Sequence, residues 1–324
     1  MNIPLVSIIC AAYNHEDYIK ETLDGFIMQK VNFLYEILIS DDASTDSTAI
    51  IIKQYEDKYP TLFRTFFHEE NQYSRGVPFF FTELIACSQG KYIAFCEGDD
   101  YWTDPYKLQK QVDFLEEHKD FGLVWTDVDF YLQSSSVFKR MVFHSGTFPI
   151  HDSFTDVLIH RSFLAPATWL FRKDCMSMEI NNYCDGTFAL LLDILAVTKI
   201  KYLDEVTAVY RELNQSASHS PSSINRYKRY QGLYGIQKDY LKKYKISYEI
   251  EEAIDINHFE SVYPYVVIFD ENDNIKRGKE ILKRSNSKSL KIRVALSLSS
   301  SSLGIYTLKV IFKLKDKYCA FKSH

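Results

Sequence analysis

Asp99 and Asp100 are the residues of this sequence whose type and spacing most suggest chemistry. They stand in Cys96-Glu97-Gly98-Asp99-Asp100-Tyr101-Trp102. The apolar run Lys91-Tyr92-Ile93-Ala94-Phe95 before them reads as a buried strand, and Thr103-Asp104-Pro105 after them as a helix start. Adjacent acids repel, and burying them unpaired costs on the order of several kcal/mol. A divalent cation carrying a phosphate answers that repulsion. A solvated acidic turn answers it equally well, so the doublet acquires meaning only from the elements that position it.

Those elements alternate. From the N-terminus to about Thr126, strand and helix patterns follow one another, which predicts a mostly parallel sheet covered by helices. Leu5–Ala11 reads as the first strand. Ile19, Leu23, Phe26 and Ile27 then recur at helical spacing, with Asn14 placed as their cap. Glu36–Ser40 reads as the second strand, and Ile51, Ile52, Tyr55 and Tyr59 as the stripe of the next helix. Leu62–Phe67, Tyr92–Cys96 and Phe121–Phe130 read as further strands, and Phe79–Cys87 as a helix. Asp104 and Pro105 look like the cap and first residue of a helix that buries Leu108, Val112 and Leu115. Three polar segments follow strands: Ala12-Tyr13-Asn14, Asp41-Asp42 and Glu97–Asp100. In a parallel sheet all three lie along one edge, where ligands bind in open α/β folds.

The middle of the chain carries fewer signals. Phe154–Ile159 suggests a short helix and Ala167–Phe171 a strand. Thr187–Val197 reads as an apolar helix with one inward carboxylate, Asp193. Ile200–Leu203 and Val206–Tyr210 read as two short strands around a turn at Asp204-Glu205. The serine-rich stretch from Leu213 to Ser223 is loop-like. Lys, Tyr, Glu and Ile at helical spacing dominate beyond it, so residues 1–222 and 223–324 are read as separate regions, the second helical. Near the C-terminus, Leu308, Ile311 and Phe312 suggest one face of a helix with lysines opposite. That pattern suits an anionic membrane surface, and equally a helix packed on the protein or on a partner subunit.

Bulk properties narrow the class. With 46% hydrophobic and 25% charged residues over 324 positions, the composition is that of a globular protein. A formal net charge of -5 excludes a general nucleic-acid binder, which needs a basic face. No signal peptide and no transmembrane run are read from the pattern. The six cysteines show no Cys-x-x-Cys spacing, so neither a disulfide framework nor a zinc site is expected. A reducing, cytoplasmic setting follows.

Val6-Ser7-Ile8-Ile9 with Tyr13-Asn14, Glu36-Ile37-Leu38-Ile39 with Asp41-Asp42-x-Ser44-Thr45-Asp46, and Gly90-Lys91-Tyr92-Ile93-Ala94 with Gly98-Asp99-Asp100 together resemble the family-2 glycosyltransferases of GT-A fold. Leu203–Arg211 with Ser216-Ala217-Ser218-His219 is similar to bacterial enzymes that assemble capsule or lipopolysaccharide chains. The resemblance covers about residues 4–220. It implies a Rossmann-like α/β fold with residues 1–100 as the nucleotide half and 101–222 as the acceptor half. It implies inverting transfer from a UDP-sugar to a saccharide, often a lipid-linked oligosaccharide, with Mn2+ or Mg2+ as cofactor and a place on the inner face of the plasma membrane.

In that resemblance Tyr13 stacks on the base, Asp42 accepts its imino hydrogen and Ala11 offers backbone contacts. Asp99 serves the nucleotide and Asp100 the metal. Asp185, in Tyr183-Cys184-Asp185-Gly186-Thr187, matches the family's catalytic base, although the run departs from the usual Gly-Asp or Glu-Asp. A helix cap is the alternative role for it, and Asp193 is the reserve base. Arg211 and His219 fall where the family closes over the diphosphate, His219 as a further metal ligand. Trp102 is placed to line the acceptor site and Arg75 to touch phosphate, each against an ordinary alternative of packing or solvation. Two other readings stay open: a non-catalytic nucleotide- or glycan-binding subunit, and a sugar-nucleotide pyrophosphorylase. The latter normally has a glycine-rich loop after its first strand, and Cys10–Asn14 contains no glycine.

Overall fold

Strand β1 (Val6–Ala12) is apolar on both faces, and both are covered, so it is an interior strand. It pairs in parallel with β2 (Tyr35–Asp41), from Val6 opposite Tyr35 to Ala12 opposite Asp41, and with β4 (Tyr92–Phe95) on its other side. β2 pairs in parallel with β3 (Phe63–Phe67). The helices α1 (Ile19–Ile27) and α2 (Thr48–Lys58) make the crossovers β1–β2 and β2–β3. Because β1, β2 and β4 run the same way, Tyr13, Asp42 and the Glu97–Asp100 turn share one sheet edge.

The computed structural model describes residues 3–76, 80–176, 183–213, 222–269, 272–284 and 290–322. Contacts divide the chain into two units. The first comprises Met1–Phe154, Ser162–Asn182 and Gly186–Glu212, and the second Thr155–Arg161, Tyr183–Asp185 and Leu213–His324.

Beyond β4 the sheet of the first unit becomes mixed. The remaining elements are β5 (Tyr101–Trp102), α3 (Lys107–Glu117), β6 (Phe121–Leu132), β7 (Val137–Lys139), α4 (Phe154–His160), which runs across the boundary, β8 (Leu170–Arg172), α5 (Gly186–Val197) and β9 (Lys199–Glu212). The strand order is β3-β2-β1-β4-β8-β6-β9-β5, with β7 on β6. β6 and β9 are parallel, while β4–β8, β6–β8 and β5–β9 are antiparallel.

Several local expectations change. β9 is one strand rather than two, because register shifts opposite Thr126–Val128 absorb Asp204-Glu205 as an irregularity and let the ladder continue. Pro166 opens a 3-10 turn, Pro166–Thr168, so the strand expected from Ala167 starts only at Leu170. The segment Phe80–Ile85 is π-helical. Asn14 is not a cap: its φ is 54° and α1 begins at Ile19. Nor does Asp104 cap α3 directly. Its Oδ1 accepts the N–H of Tyr106, the residue immediately before the helix begins at Lys107, at 2.8 Å. Leu108, Val112 and Leu115 are buried as the spacing predicts.

The second unit is helical: α6 (Ser223–Tyr244), α7 (Tyr248–Phe269), α8 (Asn272–Leu282), α9 (Leu290–Leu298) and α10 (Ser302–Lys322). α6 ends with Lys245 in the left-handed region. The Ile246 N–H reaches Leu241 O at 3.1 Å and the Lys245 N–H reaches Lys242 O at 3.3 Å. α7 packs against α6, α8, α9 and α10, and its Phe259, Val262, Tyr263 and Val266 form a core with Tyr227, Ile292 and Leu308. Leu308 is therefore turned inward and Ile311 outward, so they do not share the face the sequence suggested. The Phe312 side chain lies outside the described residues. No helix among the described residues is long and apolar enough to cross a membrane.

Candidate active site

The turn after β4 is held from three directions. Its own frame is the Asp100 N–H to Glu97 O bond of 3.1 Å, and the Gly98 N–H reaches Ala11 O at 2.9 Å. Gly98 has no room for a side chain: a Cβ would lie 2.8 Å from His15 Nδ1 and 3.0 Å from the Ala12 Cβ. From α1, the Thr22 hydroxyl is within hydrogen-bond range of Asp100 O at 2.6 Å and Gly98 O at 3.0 Å. From β9, the Arg211 main-chain N–H donates to Asp100 Oδ1 at 2.8 Å and its Nε to Asp99 O at 2.7 Å. The Arg211 guanidinium also pairs with Glu21 and lies 5.0 Å and 4.9 Å from the ring centres of Tyr18 and Tyr101.

Asp100 is 3% exposed. Burial, followed by the neighbouring Asp99 and Glu97 charges, raises its carboxyl well above the usual carboxylate range, and the Arg211 N–H and guanidinium only partly offset this. His15, beneath the turn, is pushed down by burial against the opposing pull of Asp99. Its Nδ1 is buried with no hydrogen-bond partner among the described residues.

The ends of β1 and β2 are laced together. Asn14 N–H donates to Ser44 Oγ at 2.9 Å, and Asn14 Oδ1 accepts the Thr45 N–H at 2.8 Å. Asp46 accepts the Glu16 N–H at 3.1 Å, and Glu16 returns the exchange by accepting the Ser47 N–H at 2.9 Å. Asp46 Oδ1 also takes the Thr48 N–H at the start of α2, so the one side chain steadies the helix start and links it to Glu16. These bonds explain the Ser44-Thr45-Asp46 spacing: the three residues fix the loop that presents Tyr13. Asn14 and Ala43 both carry positive φ, 54° and 61°, in a region that L residues rarely adopt.

Asp42 is 2% exposed and its carboxylate accepts the main-chain N–H groups of Gln72 at 2.6 Å and Tyr73 at 3.1 Å. Tyr13 is 45% exposed at the same edge. Ala11, the last residue but one of β1, is half-buried and its carbonyl holds Gly98. The structure thus brings Ala11, Tyr13, Asp42, Asp99, Asp100 and Arg211 to one end of the sheet.

Other candidates lie elsewhere or are differently engaged. Trp102 is buried, with its indole N–H on Ala167 O at 2.7 Å and its ring edge-on to Phe26. Packing accounts for it. Arg75 is exposed and pairs with Glu70. Asp185 belongs to the helical unit, where its carboxylate pairs with Arg229 at 2.7 Å. Asp193 is half-buried on α5. His219 lies outside the described residues. Glu21, Thr22 and His15 were not singled out by the sequence. Glu21 and Thr22 stand beside the core positions Ile19 and Leu23 of α1, which is the only local signal they give.

A divalent metal fits this turn. Asp100 is an almost fully buried acid beside two others, and among the described residues one main-chain N–H, that of Arg211, donates to its side chain. Among the described residues no three His, Cys, Asp or Glu side chains are grouped to enclose an ion. Mg2+ and its kin characteristically take one or two carboxylates and complete their shell with water and phosphate. Asp100, with Asp99, would hold the ion here.

The sequence profile of a family described as glycosyl transferase family 2 matches residues 7–177. An uncharacterised protein of Mycobacterium tuberculosis (strain ATCC 25618 / H37Rv) is 35% identical over 230 residues, 68% of this chain and 62% of that protein. The match thus spans less than two thirds of the mycobacterial relative. The putative teichuronic acid biosynthesis glycosyltransferase TuaG of Bacillus subtilis (strain 168) is 26% identical over 233 residues, 65% of this chain and 89% of that one. Among solved structures, S. aureus TarS 1-349 in complex with UDP superimposes with a TM-score of 0.53 at 17% identity, covering 95% of this chain and 91% of that one. The fold is α/β of the GT-A type.

Proposed function

The chain belongs to glycosyl transferase family 2, and from that premise we propose that it moves a sugar from a UDP-sugar onto a saccharide acceptor, with inversion and with Mn2+ or Mg2+ bound. The convergence of Tyr13, Asp42, Asp99 and Asp100 at one sheet edge carries the reading. Tyr13 offers an exposed aromatic face to the base. Asp42, its carboxylate oriented by the loop at Gln72 and Tyr73, accepts the imino hydrogen of uracil. Asp99 serves the nucleotide and Asp100 holds the metal. The bound ion supplies positive charge to the departing diphosphate.

In the transfer the acceptor hydroxyl forms a bond to the anomeric carbon as the bond to the diphosphate oxygen breaks. A carboxylate takes the hydroxyl proton, and UDP leaves. Asp185 is the proposed base, on its motif position. Residues 1–100 serve the nucleotide and 101–222 the acceptor, which we take to be a lipid-linked glycan of bacterial surface polysaccharide. Its relative TuaG is named for such a polymer.

The Asp185–Arg229 ion pair favours a second reading, because a carboxylate held by a guanidinium is already engaged rather than turned to an acceptor hydroxyl. In it the fold binds nucleotide or glycan without turnover. Calorimetry with UDP, with and without Mn2+, combined with UDP release from a panel of UDP-sugars, tests both. Absence of UDP binding would falsify the first. Binding without release in any acceptor mixture would favour the second. Near-full transfer by Asp185→Asn would reassign the base and leave the rest standing.

A further inference from the structure

Helix α10 is apolar on two sides. Gly304 and Leu308 turn inward, Leu308 into the core of the helical unit. On the opposite side Leu303, Tyr306, Val310 and Leu314 follow at steps of three and four residues, which aligns them in one stripe. They are 76%, 66%, 39% and 62% exposed. Lys309 and Lys313 are exposed along the flank of that stripe. A packed helix needs one apolar side, and α10 already has it in Leu308. The second side is left facing solvent, and contiguous exposed apolar surface of this kind marks an interaction site.

The charge around the stripe identifies the partner. From Lys283 to Lys322 the chain carries ten Lys or Arg and one acid, Asp316, although its net charge overall is -5. Two copies meeting through this face would bring these basic segments together, and a self-complementary contact would multiply the repulsion. An anionic surface that also accepts apolar side chains answers both features, and no described helix is able to cross a bilayer. We propose that α10 lies along an anionic phospholipid surface, its Leu303–Leu314 stripe entering the boundary between headgroups and acyl chains and Lys309 and Lys313 on lipid phosphates. The proposal does not depend on sugar transfer, and its test reads no activity.

The full chain is sedimented with vesicles of phosphatidylcholine alone and of phosphatidylcholine mixed with phosphatidylglycerol. Binding to the mixed vesicles only is expected, with release near about 1 M salt, where the Debye length falls to about 3 Å. Lys309→Gln with Lys313→Gln weakens partitioning about 25-fold, about fivefold for each lysine near the surface. Leu303→Ser with Val310→Ser weakens it at least about tenfold. Both pairs sit on exposed positions, so thermal melting followed by circular dichroism stays at the parent value. Equal binding to both vesicle types overturns the proposal, as does no binding at low salt. Self-association of the parent that Leu303→Ser abolishes, measured by sedimentation equilibrium, overturns it in favour of a second copy.

Discussion

Asp42 and Asp100 follow two strands of the same sheet edge, β2 and β4, with β1 between them, and both are almost fully buried, at 2% and 3% exposure. Their surroundings differ. Asp42 accepts two main-chain N–H groups from one loop, at Gln72 and Tyr73, although it too follows a buried acid, Asp41. Asp100 receives one N–H, from Arg211, and stands beside Asp99 and Glu97. The first carboxylate is a completed anchor. The second is an incompletely compensated charge, which costs stability until a cation arrives. Burial alone therefore says little about role; what distinguishes a structural acid from a reacting one is how many donors already face it.

The strongest way to break this contrast is Asp100→Asn. Transfer should fall by about a thousandfold, with metal dependence lost, while the melting temperature holds or rises because an unfavourable charge has gone. A large loss of stability would show that Asp100 is an anchor like Asp42. Asp42→Ala should do the opposite. The main-chain N–H groups of half-buried Gln72 and exposed Tyr73 lose their acceptor, at a cost of about 2 kcal/mol in urea unfolding, with transfer reduced mainly through weaker UDP binding.

Arg211→Met removes the guanidinium from Asp99 O and Glu21 but keeps the main-chain N–H on Asp100. About 2 kcal/mol of stability should be lost and kcat should drop about tenfold; Arg211→Lys, which lacks the planar fork, should restore little of either. Recovery by lysine would reduce the residue's role to its charge.

A third buried charge gives the smallest effect. Lys107 is wholly enclosed, with Gln111 Oε1 at 2.8 Å and the Trp102 ring centre at 4.3 Å, and burial pushes its ammonium down to about 7. Between that value and the ordinary lysine value of 10.5 the unfolded chain binds more protons than the folded one. Stability due to this residue therefore rises with pH through that window and is lost as pH falls toward 7. The unfolding free energy from urea titration should gain about 1 kcal/mol from pH 7 to 8, a gain that Lys107→Met erases.

Much of the edge was legible because its signals are local. A hydrophobic run followed by polar residues marks a strand end, and three such ends in one half of a chain imply convergence when the strands are parallel. What escaped were the partners that arrive from far along the chain. Nothing near Arg211 indicates that its main-chain N–H holds Asp100, and nothing near Thr22 indicates that its hydroxyl meets the same turn. Trp102 follows the acidic pair so closely that a ligand role seemed natural, yet one residue of alternation in β5 turns it toward Phe26. Asp204 and Glu205 looked like a turn because an acidic pair usually ends a strand; pairing with β6 on a continuous ladder overrode that preference.

The Arg211–Asp100 bond joins positions 111 residues apart, whereas those that fix the Tyr13 loop span 30 or 31. Closing the longer span costs more chain entropy, and contacts of large sequence separation form late. During synthesis the loops at the ends of β1 and β2 are able to settle while β9 has yet to be made. A chain halted before residue 211 thus has the ends of β1 and β2 laced together but lacks the clasp on its acidic turn, and the final strand of the first unit becomes the step that completes this sheet edge.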